Sequence, residues 1–475
     1  MQRQKIAIFH YHLKRGGVTS VIREQVAALE ETADVLLLAG ESPEEYIHDH
    51  VAVIPELRYS TAVDGPANAE QLADKVEKAV IDHFGSRCDV LHFHNPILAK
   101  NLHLLRVIKI LAARGFDAFL QIHDFAEDGR VGSCIREEYP EDVHFGVINS
   151  RDYQYLLESG LRPEGLHLLP NCVRELPDGG GDFRDNHLLL YPVRAIRRKN
   201  IGEVLLISLF VNDGDYIGVS LPALSRNDWQ SYNDWKIFAR TRGLPVRFDL
   251  GTKYQFGELI SISKCFLTTS IAEGFGFAFL EPWMCGRPLW GRRIPGICDD
   301  FTGGGVSLDG LYESFRVPRD RVDLVSFMKK LEAELKHLEK YYDVSLDARA
   351  VADSVRSVVG DGHVDFGLLA EKNQASFIRE AAEDEGLRRA VFEANPKLAL
   401  LVANAYEPAA LERNRETIGR TWSRQRYADE LAGVYKKVMS VKVHQKIDKV
   451  KLLSHFLKPE HLSLLKWGSY DGTSL

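Results

Sequence analysis

Short apolar runs alternate with longer amphipathic stretches along the first 170 residues, and this alternation constrains the fold more than any other feature. The runs Lys5–Phe9, Asp34–Leu38, Val90–Phe93, Ala118–Ile122, Val147–Asn149 and His167–Leu169 have strand length and are rich in apolar side chains. Between them, Thr19–Glu30, Ala67–Phe84, Leu102–Arg114 and Ser150–Glu158 space their apolar residues as helices do. Strands apolar on both faces and separated by helices predict a parallel, doubly wound α/β sheet, because each parallel pair needs a long crossover and the helices cover both faces. Ligands of such sheets sit beyond the carboxyl ends of the strands, where strand order reverses. Gly16-Gly17, His94-Asn95, His123-Asp124 and Asn149-Ser150 all follow strand ends and should share one rim.

Pro177-Asp178-Gly179-Gly180-Gly181-Asp182 then interrupts the pattern, since nothing in it nucleates regular structure. A second alternating unit follows, with strands at Leu188–Tyr191, Tyr216–Val219, Val246–Leu250, Cys265–Thr268 and Pro288–Gly291. A chain of 475 residues is too long for one ordinary domain. The domains expected are 1–176 and 185–424. Residues 310–410 are helix-rich, with Val322–Tyr342, Ala348–Val359, Leu368–Glu385 and Gly386–Asn395, and read as an elaboration of the second domain.

One stretch in that domain carries chemistry. Glu273 and Glu281 flank seven residues that contain Gly274-Phe275-Gly276-Phe277, directly after Thr268-Thr269-Ser270. A hydroxyl-bearing turn, a glycine bend and a helical pattern make a strand-to-helix junction, whose unpaired N–H groups suit an anionic or hydroxyl-rich ligand. Glu281 is expected about two turns into the helix, facing the same cleft as Glu273. One carboxylate would take sugar hydroxyls and the other a ribose. The plainer reading is that both glutamates only complement a helix dipole.

At this spacing the chain resembles the retaining glycosyltransferases of family 4. The resemblance also rests on Ile6–Phe9 running into His10–Val18, on Gln121-Ile122-His123-Asp124 and on Val147-Ile148-Asn149-Ser150. It continues in Leu169-Pro170-Asn171-Cys172-Val173, with cysteine where the family has glycine, and in the offset between Arg194 and Lys199. It implies the GT-B fold: two Rossmann-like domains facing each other across a cleft, with C-terminal helices at about 425–475 packing back on the first. It implies a nucleoside-diphosphate hexose donor (UDP- or GDP-linked), no further cofactor, and a contact from His123 to the transferred sugar.

Growing charge on a departing diphosphate needs fixed cations and N–H donors. Arg194 and Lys199, after a strand, are the candidate clamp, while Arg197 and Arg198 between them read as exposed. Gly16 and Gly17 would admit the same phosphates close to the backbone. Glu281 is the candidate for the ribose, and Glu273 with the Gly274, Phe275, Gly276 and Phe277 backbone for the hexose. No Asp-x-Asp stands at a strand end, so no metal site is expected. Acceptor candidates are Lys14, Arg15, His94, Asn95, Asp124 and Arg130. Their charge suggests a small polar, anionic acceptor such as a sugar phosphate or hydroxy acid, and their plainer reading is a solvated surface.

Composition excludes several classes. A net charge near −7 gives no reason to expect nucleic acid. Six scattered cysteines without CxxC spacing read as reduced thiols, and the N-terminus enters a strand directly, so a cytoplasmic location is expected. Lys436–Trp467 carries eight lysines against two acids. It reads first as a solvated face of packed helices and second as a membrane-surface helix. Two further readings are a non-catalytic sugar-nucleotide-binding protein and a transferase acting on a membrane-associated or polymeric glycan. A phosphorylase-like enzyme would need a pyridoxal-binding lysine and a much longer chain.

Overall fold

The computed structural model describes residues 3–60, 69–135, 137–180, 183–345, 362–458, 463–470 and 472. The chain divides into two compact units, Met1–Arg174 with Arg420–Phe456, and Glu175–Gly419 with the tail after Phe456.

The first unit is built on seven parallel strands: β1 Gln4–His10, β2 Ala33–Ala39, β3 Val51–Val53, β4 Val90–His94, β5 Ala118–Ile122, β6 His144–Val147 and β7 Leu166–Leu168. Their order is β3-β2-β1-β4-β5-β6-β7, so the winding reverses between β1 and β4. Ile6, Ala7, Ile8 and Phe9 are all buried, because helices lie on both faces of the sheet. The core joins these strands to Tyr427, Leu431, Val434 and Tyr435 on the helix Arg424–Ser440.

The second unit has six parallel strands: β8 Leu188–Arg194, β9 Tyr216–Leu221, β10 Val246–Arg247, β11 Ser263–Thr268, β12 Leu289–Arg292 and β13 Leu311–Tyr312. The order β10-β9-β8-β11-β12-β13 reverses between β8 and β11. The region after β13 adds a short antiparallel pair, Arg316–Pro318 with His363–Asp365, and the helices Leu324–Tyr342, Glu371–Glu383, Glu385–Ala394, Pro396–Val402 and Pro408–Thr421. The expected helix Ala348–Val359, the start of Ala67–Phe84, and Gly181-Asp182 of the interruption lie outside the described residues.

Several expectations need correction. The strand expected at Val147–Asn149 ends at Val147, because Asn149 caps the next helix by accepting from the Asp152 N–H at 2.8 Å. The strand expected at Val246–Leu250 stops at Arg247. Asp249 turns left-handed (φ 64°), and its carboxylate is taken by Tyr232 and Lys236. Val51–Val53 and β13 were too short to stand out. The tail does not stay with the first unit throughout. Helix Lys449–Phe456 packs against Ser150–Glu158, but Leu464 enters the second unit's core. Arg197 explains this: far from exposed, it pairs bidentately with Glu371 (2.5 and 2.9 Å) and donates to the Leu464 (3.1 Å) and Gly468 carbonyls. Leu452, Leu453, Phe456, Leu464, Leu465 and Trp467 are buried, so these apolar residues among the lysines are covered by protein. No helix among the described residues is long and apolar enough to cross a membrane.

Candidate functional site

In the second unit, the two strands at the reversal point each end in a candidate segment. β8 runs through Arg194 into the single turn Arg197–Lys199, and β11 runs into Thr269–Glu273. Backbone geometry alone would leave these loops independent, and buried hydroxyls join them. Tyr191 donates to the Lys199 carbonyl at 2.8 Å and lies 3.1 Å from the Ser270 hydroxyl. Thr269 reaches the Lys199 and Asn200 carbonyls at 2.9 and 3.1 Å, and the Ile271 N–H donates to the Arg198 carbonyl at 3.0 Å. Asn200 sits left-handed (φ 53°), held by Gln374 (2.9 Å) and by its bond to the buried Glu203 (2.8 Å).

This stitching brings Lys199 against Glu273 as an ion pair. Both side chains are nearly buried, 13% and 11% exposed. Burial alone would push the Glu273 carboxyl up, but Lys199, Arg198 and hydrogen bonds outweigh it and hold the group below the usual carboxylate value. The ammonium is a point charge with three N–H donors, and Glu273 takes one of them. Arg194 donates to the Pro222 carbonyl at 3.1 Å.

The glycine bend follows. Gly276 is left-handed (φ 96°), and a Cβ there would lie 2.8 Å from Phe279 and 3.1 Å from Ile297, so only glycine fits. Phe275 is buried against Phe277 and Phe301, so this segment offers a ligand its backbone and not the Phe275 ring. Glu281 is the first residue of the helix Glu281–Met284, not two turns in. A one-turn 3-10 segment, Phe277–Phe279, uses up the intervening residues, and Pro282, which cannot supply a helical N–H, fixes the start.

In the first unit the same logic applies at β1 and β4. Gly16-Gly17 opens the helix Gly17–Leu29, and a Cβ on Gly17 would meet nothing within 4 Å, leaving open space beside the backbone. Asn95, left-handed at φ 50°, ties the ends of β4 and β5: its Oδ1 accepts from the His123 and Asp124 N–H groups at 2.6 and 3.0 Å. Asp124 pairs with Arg130 at 2.5 Å, Lys14 with Glu41 at 2.5 Å, and Arg15 with Glu45 at 3.4 Å. Sequence reasoning missed Lys100, half-buried over the Tyr59 ring. Burial and then Arg130 push its ammonium down, with Asp124 opposing. A lone lysine beyond a strand end gave no signal. His94 is fully buried, with both ring nitrogens hydrogen-bonded inside the protein, so its ring does not reach an acceptor directly. His123 is buried beside it, and burial lowers its pKa to about 4, so it is neutral near pH 7.

A cavity of about 220 Å³ opens in the second unit among Leu267, Trp290, Tyr312, Phe315, Asn395 and Leu398. None of the donor-site candidates lines it. Among the described residues, no group of three His, Cys, Asp or Glu side chains is placed to hold a metal ion.

Two parallel sheets of this order match known structures. HepE of Anabaena, solved with UDP and glucose, superposes with a TM-score of 0.53, 13% identity, and coverage of 91% of this chain and 100% of that one. A glycosyltransferase of Rickettsia africae gives 0.52 and 12%, covering 92% and 99%. In sequence, the mannosylglucosyl-3-phosphoglycerate synthase of Petrotoga mobilis is 26% identical over 372 residues, 70% of this chain and 72% of that protein. This chain has the GT-B fold of these glycosyltransferases. No family model matches it.

Proposed function

We propose that this chain is a glycosyltransferase that moves a hexose, with retention at the anomeric carbon, from a nucleoside-diphosphate sugar to a small anionic acceptor carrying a phosphate or carboxylate, in the manner of family 4. The observation that carries the reading is the Lys199–Glu273 pair at the β8/β11 reversal point. The bond between the anomeric carbon and the β-phosphate oxygen breaks as the acceptor hydroxyl oxygen bonds to that carbon. The acceptor's proton passes to the departing diphosphate. Lys199, fixed by Glu273, and Arg194 offset the charge that grows there, and Glu273 faces the charge that develops on the sugar ring. Glu281 takes the ribose. The similarity to HepE, whose structure holds UDP, supports the donor class.

On the acceptor side, Lys100 and Arg130 supply cationic charge around Tyr59 and Asp124, suited to a phosphate. The relative's name, a phosphoglycerate-containing product, points to the same chemistry. The test is a thermal-shift panel of nucleoside diphosphates, followed by turnover of UDP- and GDP-hexoses with phosphorylated hydroxy acids and their glycosides as acceptors. A ligand that binds only the native state raises apparent stability by mass action. Transfer to an anionic acceptor that fails with its dephosphorylated form supports the proposal. Binding of nucleotide sugar without transfer to any acceptor would return the protein to the binding-only reading.

A further inference from the structure

His123 is the terminus of a buried chain that runs from the strand ends into the protein. His94 Nδ1 lies 2.8 Å from His123 Nε2, and His94 Nε2 lies 2.8 Å from Gln25 Oε1. Gln25 Nε2 in turn donates to Gln121 Oε1 at 2.8 Å and to the Tyr427 hydroxyl at 2.6 Å. Gln25, His94 and Gln121 are fully buried and Tyr427 nearly so. His94 also stacks between His92 and His123, with ring centroids 4.4 and 5.1 Å apart.

A neutral imidazole has one N–H and one acceptor nitrogen, so a bond made at one nitrogen dictates what the other does. Each link in such a file fixes the next. Gln25 offers His94 its carbonyl, so His94 carries its proton on Nε2 and accepts at Nδ1. His123 must then donate from Nε2, and only its Nδ1 is left, as an acceptor. Burial keeps both rings uncharged at neutral pH, so an imidazolium with two donors does not break the order. The file draws Gln25 from the helix Gly17–Leu29 and Tyr427 from Arg424–Ser440.

We propose that His94, Gln25 and Tyr427 are positioning residues, which hold His123 in a single tautomer, occupy its Nε2, and leave Nδ1 alone to accept from a hydroxyl of the transferred sugar. The sugar contact rests on the transferase reading above, whereas the tautomer lock does not. The gain is orientation: a ring free to exchange tautomers would present the wrong group to the hydroxyl part of the time.

The experiment is ¹⁵N NMR of the full chain labelled selectively at histidine, with His123→Gln used to assign its signals. The wild type should show His123 as one tautomer with the proton on Nε2. Gln25→Leu removes the acceptor for His94, and His123 should then show a mixture of tautomers. With an active donor, Gln25→Leu should lose about tenfold in kcat, the worth of one net hydrogen bond, with nucleoside-diphosphate affinity unchanged. A wild-type mixture, an Nδ1–H form of His123, or an unaltered spectrum in Gln25→Leu would each overturn the lock. The wild-type spectrum decides even where that variant fails to fold. A lock that holds in a protein turning over no nucleotide sugar would sink the transferase reading and leave the lock standing.

Discussion

Replacing Lys199 separates two things that its pairing with Glu273 merges, stability and chemistry. In Lys199→Ala the Glu273 carboxylate stays nearly buried with Arg198 as its remaining cationic neighbour. Breaking a buried pair by deleting one partner costs about 3–5 kcal/mol, and because these groups retain some exposure and Arg198 persists, the lower end, about 3 kcal/mol, is expected. For a unit of this size that corresponds to a melting shift of roughly 6–12 °C, readable by calorimetry. The double variant Lys199→Met/Glu273→Gln removes both charges while keeping the volume, and should recover at least half of the loss. Turnover should not recover. Without the ammonium, stabilisation of the departing diphosphate falls and the rate drops at least about a hundredfold in both variants.

The pH dependence gives an independent check. In the wild type the Glu273 carboxyl titrates below its ordinary value of 4.5, so its pairing contributes stability above that pH and loses it as the carboxyl protonates. In Lys199→Ala burial is less opposed, the folded-state pKa rises, and protonation relieves the variant. The melting gap between the two proteins should therefore narrow on acidification below about pH 4.5. A Lys199→Ala protein that melts with the wild type, keeps near-normal turnover, or shows a gap independent of pH would refute the reasoning.

The two glutamates should fail differently. Glu281→Gln should weaken donor and free nucleotide alike, and Glu273→Gln should depress turnover while calorimetric affinity for the bare diphosphate holds. Gly276→Ala should cost about 1–2 kcal/mol from the left-handed backbone alone, visible in denaturant melts, and should weaken donor binding as Phe279 is displaced. The first unit should be the acid-sensitive one. His10 and His92 (about 3) and His123 (about 4) have pKa values depressed by burial, so the unfolded chain binds more protons. Stability then falls between about pH 6.5 and 4, with His123 alone worth about 3 kcal/mol. Hydrogen exchange resolved by unit should show that loss in β4 and β5 before the second sheet.

What the sequence disclosed was what depends on local pattern. Ile6–Phe9, Ala118–Ile122 and Ser150–Glu158 were legible because burial on both faces of a strand, or on one face of a helix, writes itself into adjacent residues. The segments around Lys199 and Glu273 followed once the strand ends were placed, whereas the strand orders that make β1 and β4, and β8 and β11, neighbours are set by pairing between distant residues. Side-chain reach did not follow. Nothing near Arg197 in the chain hints that Glu371 and the Leu464 and Gly468 carbonyls enclose it. Glu281 was displaced by two turns because a 3-10 segment and Pro282 stand where an unbroken helix was expected.

The same distinction explains how the donor half is held together. Lys199 belongs to a single turn and Glu273 to a loop, and neither element is rigid by itself. Their rigidity comes from Tyr191 and Thr269, whose hydroxyls reach the Lys199 and Asn200 carbonyls, and from Ser270, whose hydroxyl is bonded to that of Tyr191. Buried carbonyls left unpaired would each cost about 1–3 kcal/mol, so these hydroxyls make the loop conformation the cheap one. Asn200 extends the hold to Glu203, which pairs with Arg292 at 2.6 Å, and Arg292 pairs with Asp365 at 2.7 Å. Asp365 belongs to the short strand pair in the helix-rich region after β13. That region therefore does more than enlarge the second unit: through Asp365, Arg292, Glu203 and Asn200 it is bonded to the turn that presents Lys199.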